Sequence, residues 1–207
     1  MKLFLASEAK HPDTVKELEE FVGGFINKKV AYIPTAANGQ GWESWKDGGT
    51  WDLVNKIGFD LDLIQLEEIN NPEQLTERLM SKDIVWFAGG MLGYLSYWAR
   101  RVSLDKNIGD VLNKVVFVGS SAGSMLLCND SKMVTWEFVD KEYGAEYIKP
   151  LGVVDFDIYP HYDDHLYDQI KSLYKGKKLY LLKNGEEIIV EDSKITVIGE
   201  ERIITND

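Results

Sequence analysis

The stretch VVFVGSSAGSMLL, residues 115 to 127, joins four apolar residues to two serines that lie between two glycines. Runs that are apolar at every position are typical of strands buried on both faces of a parallel sheet. In open sheets of this kind, reacting groups lie beyond the carboxyl ends of the strands. The stretch therefore predicts a central strand that ends at a candidate reaction centre.

Short apolar runs alternate with longer amphipathic stretches along the rest of the chain. This alternation indicates crossover connections and a parallel sheet covered on both faces. We predict strands at Leu3–Ala6, Val30–Ile33, Leu61–Leu66, Ile84–Ala88, Val115–Val118 and Val154–Ile158. We predict helices at Pro12–Ile26, Glu43–Ile57, Pro72–Met80, Tyr94–Val102 and Ile108–Leu112.

The C-terminal part of the chain has a different pattern, with short strands separated by turn residues. The turn at Asn184-Gly185 is the strongest hairpin signal among them. The expected fold class is α/β, a three-layer doubly wound and mostly parallel sheet with a C-terminal antiparallel β meander. We find no internal repeat or linker, so a single domain over residues 1–207 is expected.

Composition excludes several classes of function. Hydrophobic residues make up 44% and charged residues 28% of the chain, as in ordinary globular proteins. The net charge of -11 and the pI of about 4.8 argue against a nucleic acid partner, because no basic patch could neutralise phosphates. The apolar runs are too short to span a membrane, so no membrane partner is expected.

The N-terminus and the single cysteine point to a reduced setting. MKLFLASEAK becomes polar too quickly for a signal peptide and is predicted to be the first strand. Cys128 cannot form an internal disulfide and is expected to be a buried helix residue. We therefore expect a cytoplasmic protein. No metal ion or cofactor is expected, and whether the chain forms a homodimer is left open.

Ser121 is the better nucleophile candidate of the two serines. In a nucleophile elbow, the residues two before and two after the nucleophile must be small, because the backbone is crowded there. Ser121 has Gly119 and Gly123 at these positions, whereas Ser120 has a valine and an alanine. The competing interpretation is a Gly/Ser loop that only lets a helix pack closely against the strand.

A serine hydroxyl needs an adjacent base to act as a nucleophile. The chain has three histidines, and His161 directly follows the predicted strand segment DFDIYP. His165, four residues later, is the alternative, and His11 precedes a helix start and is interpreted as a surface residue. We therefore expect His161 to be the general base.

The oxyanion of a tetrahedral intermediate needs two N–H donors. Ala122, the residue after the nucleophile, would supply one, and Gly89-Gly90 at the end of a neighbouring predicted strand would supply the other. For the acidic third member, Glu186 after the Asn184-Gly185 turn is the first candidate. The rivals that stay open are Asp163, Asp164, Asp130 and Glu137.

Two aromatic segments are candidates for the walls of the pocket. The loop Ala36–Asp52 follows the second predicted strand, and the segment Met133–Tyr147 follows the elbow. The alternative is that their rings belong to the ordinary core. The aromatic residues in question are Trp42, Trp45, Trp51, Trp136, Phe138, Tyr143 and Tyr147.

Four motifs, in this order, resemble the peptidase E (aspartyl dipeptidase) and cyanophycinase family of serine peptidases. They are IPTA after the second strand, FAGG after the fourth, GSSAGS at the elbow and DFDIYPHY before the histidine. The resemblance implies a fold like that of class I glutamine amidotransferases, with Ser121 as nucleophile and His161 as general base. By position, Glu186 corresponds to the family's proposed acidic member. The alternative acidic position after the elbow falls near Trp136, with Glu137 beside it, which favours Glu186.

The chain departs from this family at the substrate side. The family usually has an asparagine directly after the glycine pair, where this chain has Met91. Relatives that cleave after N-terminal aspartate carry an arginine downstream of the histidine, but this chain has none between Arg101 and Arg202. His165 or Lys171 would be substitutes without the planar fork of arginine. The candidate substrate-binding residues are Met91, Trp136 and His165.

The leading hypothesis is thus a serine hydrolase that cleaves small peptides, dipeptidase-like, through an acyl-enzyme. We expect no strict preference for aspartate. A catalytically silent relative that binds a ligand or a partner is the alternative, motivated by Met91 and the missing arginine. An α/β-hydrolase-type esterase fits less well, because that fold places its acid between the serine and a late histidine.

Overall fold

Ten strands form two sheets in the computed structural model, which describes residues 1–136, 138, 141–142 and 144–206. They are β1 (Lys2–Ala6), β2 (Lys29–Ile33), β3 (Asp60–Leu63), β4 (Ile84–Phe87), β5 (Val116–Ser120), β6 (Asp157–Tyr159), β7 (Lys178–Leu181), β8 (Glu187–Glu191), β9 (Lys194–Ile198) and β10 (Ile203–Thr205). The main sheet has the order β3-β2-β4-β5-β1-β8-β9. Its first five strands are parallel, and β8 and β9 are added antiparallel.

Helices cover both faces of the main sheet, which confirms the predicted doubly wound α/β fold. They are α1 (Pro12–Val22), α2 (Thr35–Asn38), α3 (Gly49–Ile57), α4 (Pro72–Met80), α5 (Leu92–Arg101), α6 (Leu104–Leu112), α7 (Ala122–Met125) and α8 (Tyr167–Leu173). Successive strand residues point to opposite faces. In β1, Phe4 and Ala6 pack with α1 and α3, whereas Leu3 and Leu5 belong to the larger core with α4 to α7.

The expected C-terminal meander is divided between the two sheets. Only β8 and β9 extend the main sheet, while β7 lies between β6 and β10 in a separate three-stranded sheet. The prediction that Asn184-Gly185 closes a hairpin is therefore wrong. Gly185 has a φ of 87°, a conformation that glycine adopts without strain, and the turn carries the chain from one sheet to the other. This crossing places Asn184 beside the carboxyl ends of the central strands.

Several predicted bounds are wrong for identifiable reasons. Helix α1 ends at Val22 because Gly23 adopts the left-handed conformation and closes the last turn. The predicted helix Glu43–Ile57 is broken, because Gly48 is extended between the 3₁₀ helix Ser44–Asp47 and α3. The last predicted strand of the parallel set, Val154–Ile158, is shifted to β6 and lies in the second sheet.

Cys128 is buried and free, as expected, but it lies just beyond α7 rather than in a helix. Burial raises the pKa of its thiol well above the usual range. In the described part of the chain, no helix combines the length and the apolar character needed to cross a bilayer.

Candidate active site

Ser121 lies at the turn between β5 and α7, at the carboxyl end of the central strand. Its backbone has φ 50° and ψ -113°, an uncommon conformation for a residue with a side chain. The two glycines are required by the packing around it. A Cβ on Gly119 would lie 2.6 Å from the backbone of Ser124, and one on Gly123 would lie 2.2 Å from the carbonyl oxygen of Phe87.

The histidine that follows β6 contacts this serine. The Nε2 atom of His161 lies 3.0 Å from Oγ of Ser121. Ser120, in contrast, is buried, and its Oγ accepts a hydrogen bond of 3.0 Å from the N–H of Ala9. The structure thus brings together Ser121 and His161, the pair that the sequence predicted.

The other ring nitrogen of His161 contacts an amide, not a carboxylate. Nδ1 of His161 lies 2.6 Å from Oδ1 of Asn184. Because this oxygen can only accept, Nδ1 carries the proton and Nε2 is left as an acceptor for the Ser121 hydroxyl. This is the tautomer that a general base requires.

The expectation that Glu186 reaches the imidazole is wrong. Its carboxylate accepts hydrogen bonds from the Arg202 guanidinium at 2.7 Å and from the N–H of Lys183 at 2.8 Å. It also accepts from the N–H of Glu200 at 3.2 Å. These bonds hold the Asn184 turn against the segment before β10, so Glu186 supports the turn from behind.

The rival carboxylates do not contact His161 either. Asp163 contacts the ring and the backbone N–H of His165, and Asp164 pairs with Lys183. Asp130 accepts from the N–H of Lys132. Glu137 lies outside the described residues.

Ser7, which the sequence analysis did not select, contacts both His161 and Asn184. Its Oγ accepts a hydrogen bond of 2.8 Å from the N–H of His161, whose backbone has a φ of 55°. The same Oγ lies 3.2 Å from the carbonyl oxygen of Leu182 and 3.3 Å from Oδ1 of Asn184. Ser7 could have been found in the sequence as a polar residue at the carboxyl end of β1, the strand that pairs with β5.

The candidate oxyanion donors flank Ser121. A Cβ on Gly89 would lie 3.3 Å from Cβ of Ser121, and Gly90 has a φ of 140° with its backbone packed against Ala36. Among the described residues, no backbone or side-chain acceptor bonds the N–H of Gly90 or that of Ala122, the first residue of α7. Both N–H groups are therefore available for a developing negative charge.

The three candidate substrate residues have different surroundings. Met91 precedes α5 and lines a cavity in front of Ser121, with its side chain against Gly39. Trp136 stacks on Tyr159, with the two ring centroids 5.9 Å apart. His165 is exposed and contacts Asp163, and Lys171 lies over the ring of Tyr167, so neither replaces the missing arginine.

Two cavities meet at Ser121, Gly90 and His161. The first, of about 770 Å³, is here called the polar cavity because Glu8, Lys10, Lys141 and Glu142 line it. Its aromatic wall is formed by Tyr32, Trp45 and Trp51, with the two tryptophan rings 4.7 Å apart. The second, of about 630 Å³, is here called the apolar cavity and is lined by Met125, Met133, Val134, Phe138, Tyr159 and Leu166.

The aromatic-wall prediction is therefore confirmed for Trp45, Trp51 and Phe138. Trp42 and Tyr147 are exposed on the surface, and Tyr143 lies outside the described residues. The sequence also did not predict that Glu142 accepts a hydrogen bond of 2.8 Å from the N–H of Tyr94 in the first turn of α5. Met91 leaves this helix start without a side-chain cap.

Comparisons with known proteins agree with the fold and with the resemblance seen in the motifs. The crystal structure of a protein assigned as peptidase E from Listeria monocytogenes EGD-e has a TM-score of 0.77 and 23% sequence identity, covering 95% of this chain and 97% of that one. A peptidase from an acI-B1 Actinobacterium has a TM-score of 0.69 and 18% identity, covering 99% and 93%. No curated protein sequence matches the chain.

The family comparison covers almost the whole chain, including β5, the elbow and β8. The model of peptidase family S51 matches residues 3–198. This span contains every candidate residue described above except Arg202 and Glu200, which hold Glu186 in place. The chain therefore belongs to peptidase family S51, a family of serine peptidases.

Proposed function

We propose that Ser121, His161 and Asn184 form the catalytic triad of a peptidase that cleaves short peptides through an acyl-enzyme. The observation that carries the proposal is the 3.0 Å contact between Ser121 Oγ and His161 Nε2, with Nδ1 held by Asn184. A nucleophile, its base and a group that orients the base are the parts that acyl transfer needs. Asn184 replaces the expected acidic third member.

In the proposed reaction, Ser121 Oγ attacks the carbonyl carbon of the scissile bond while His161 Nε2 accepts its proton. The carbonyl oxygen becomes an oxyanion that receives hydrogen bonds from the N–H groups of Gly90 and Ala122. His161 then gives the proton to the leaving nitrogen, and the C–N bond breaks. His161 then deprotonates a water molecule that attacks the ester, and it returns this proton to Ser121 Oγ as the acid product leaves.

The size of the site supports short peptides as the substrate class. Both cavities fall in the volume range of small-ligand sites. The wall of Trp45 and Trp51 is fixed from behind, since Trp45 Nε1 donates to the buried Gln65 and the two rings contact edge to face. A rigid wall close to the nucleophile favours di- and tripeptides over folded chains.

One observation favours the alternative of a catalytically silent relative. Asn184 carries no charge, so it orients the imidazole but stabilises the imidazolium less than a carboxylate would. Together with Met91, this would suit a protein that binds peptides without cleaving them. Measuring whether a bound peptide is cleaved distinguishes the peptidase from the silent relative.

The test is a library of di- and tripeptides incubated with the wild-type protein and with Ser121→Ala as the blank. We expect free amino acid products with the wild type and none with the variant. An ester of the acyl residue on Ser121, trapped by acid quench and mass spectrometry, would establish the acyl-enzyme. Peptide binding without any product would instead support the silent relative.

A further inference from the structure

The two cavities that meet at Ser121 differ in charge. The polar cavity presents two carboxylates and two ammonium groups. Among the described residues that line the apolar cavity, none is aspartate, glutamate, lysine or arginine. A peptide bound across Ser121 therefore meets a charged surface on one side and an uncharged one on the other.

Buried residues form the inner end of the apolar cavity. Met125, Met133 and Tyr159 are each at most 5% exposed. Burial raises the pKa of Tyr159 to about 12, which is the effect expected where a charged form is poorly solvated. Methionine and phenylalanine side chains make the wall adaptable and apolar.

Such a cavity discriminates strongly between side chains of similar size. A leucine or phenylalanine side chain that enters it loses contact with water, which favours binding. An aspartate or glutamate carboxylate would lose its hydration and find no cation among the described lining residues. The gain for apolar side chains and the cost for carboxylates act in the same direction, so the cavity selects against acidic side chains.

The apolar cavity contains both groups that are expected to bind the oxyanion. Both candidate oxyanion donors, Gly90 and Ala122, line it, whereas only Gly90 lines the polar cavity. Because a carbonyl oxygen bound between these two N–H groups would lie at the mouth of the apolar cavity, this cavity is the nearer one for the side chain of the same residue. The polar cavity is then left for the rest of the peptide.

We propose that the apolar cavity binds the side chain of the residue that acylates Ser121 and selects leucine, methionine and phenylalanine over aspartate and glutamate there. This inference rests on the proposed peptidase function and names its substrate class. Leu166 is the residue that allows a direct test. It lies at the end of the 3₁₀ helix Asp164–Leu166, is only partly buried, and lines the cavity.

The experiment measures kcat/KM for Leu-Ala and Asp-Ala, and for the reversed pair Ala-Leu and Ala-Asp, with three proteins. In the wild type we expect Leu-Ala to exceed Asp-Ala at least about tenfold, within the range that side-chain pockets achieve. Leu166→Arg places a cation in the cavity and should raise the Asp-Ala to Leu-Ala ratio at least about tenfold. Leu173→Arg, the same change on the exposed end of α8, is the matched control and should leave the ratio within about twofold.

Three results would overturn the inference. They are a wild type that favours Asp-Ala, a Leu166→Arg protein with the ratio of the Leu173→Arg control, or selectivity confined to the reversed pair. If no dipeptide is cleaved, the proposed function fails. The side-chain preference of the apolar cavity can still be tested by measuring dipeptide binding to the Ser121→Ala protein by calorimetry. Leu-Ala must then bind at least about tenfold more tightly than Asp-Ala, and equal binding would refute the assignment.

Discussion

Oδ1 of Asn184 lies 2.6 Å from Nδ1 of His161, on the side of the imidazole opposite Ser121. A neutral amide oxygen therefore occupies the place where serine hydrolases usually have a carboxylate. It holds the ring in the tautomer needed for proton transfer, but it adds no negative charge. The pH dependence of the reaction should reflect this difference.

Replacing Asn184 with aspartate should move the acidic limb of the pH profile. In the wild type, kcat/KM should fall toward acidic pH, because only a neutral His161 can accept the proton of Ser121. A carboxylate beside the imidazole favours the imidazolium, so Asn184→Asp should shift this acidic limb to higher pH. Asn184→Ala should lower kcat/KM about tenfold or more without that shift. If the acidic limb of the pH profile is the same in Asn184→Asp as in the wild type, Asn184 does not act on the general base His161.

Glu186→Ala should affect stability rather than chemistry. The change removes the acceptor of Arg202 and of two backbone N–H groups, and unpaired groups of this kind cost about 1 to 3 kcal/mol each when buried. We expect a lower denaturation midpoint and a kcat/KM within about threefold of the wild type at a temperature where both are folded. A hundredfold loss of kcat/KM in a folded Glu186→Ala protein would mean that Glu186 takes part in catalysis.

Ser7→Ala should lower kcat about tenfold or more and change KM little, because the His161 N–H and Asn184 lose the group that aligns them. Ser124→Ala is the matched control, since Ser124 is an equally buried serine whose Oγ donates to Ala6 of the same strand at 2.7 Å. Its loss should reduce stability with little effect on kcat. Equal kcat in the two variants would mean that Ser7 is only structural.

Glu187 should make the protein less stable at neutral than at mildly acidic pH. It is fully buried, Thr14 donates to one of its oxygens, and the other has no partner among the described residues. Burial raises the pKa of this carboxyl from 4.5 to about 7. Since the unfolded state ionises first, stability falls as pH rises from 4.5 to 7 and then levels off.

The Glu187→Gln variant tests this directly. At about 1.4 kcal/mol for each pKa unit, the total loss of stability is at most about 3.5 kcal/mol. The variant should therefore gain stability relative to the wild type between pH 4.5 and pH 8 in chemical denaturation. Parallel stability curves for the two proteins would contradict the assignment.

The sequence was informative where one physical cause dominates. Apolar runs predicted the central strands, and the crowding around the elbow distinguished Ser121 from Ser120. It failed at Asn184, because the Asn-Gly signal describes a local turn and not which sheet each flanking strand joins. Ser7 was missed for a related reason, since its contacts with residues more than 150 positions away depend on tertiary structure alone. Long-range partners of this kind leave no periodicity in the sequence.

The most direct test of the central claim, that Ser121 is the nucleophile of this peptidase, is labelling with a fluorophosphonate followed by peptide mapping. A serine activated by His161 should react and carry the adduct on Ser121 in the wild type and in Ser120→Ala. The adduct should be absent from Ser121→Ala and strongly reduced in His161→Gln, whose activity should fall by about three orders of magnitude or more. An adduct on Ser120 would contradict the assignment of Ser121. So would a wild-type protein that cleaves peptides but is not labelled by the fluorophosphonate.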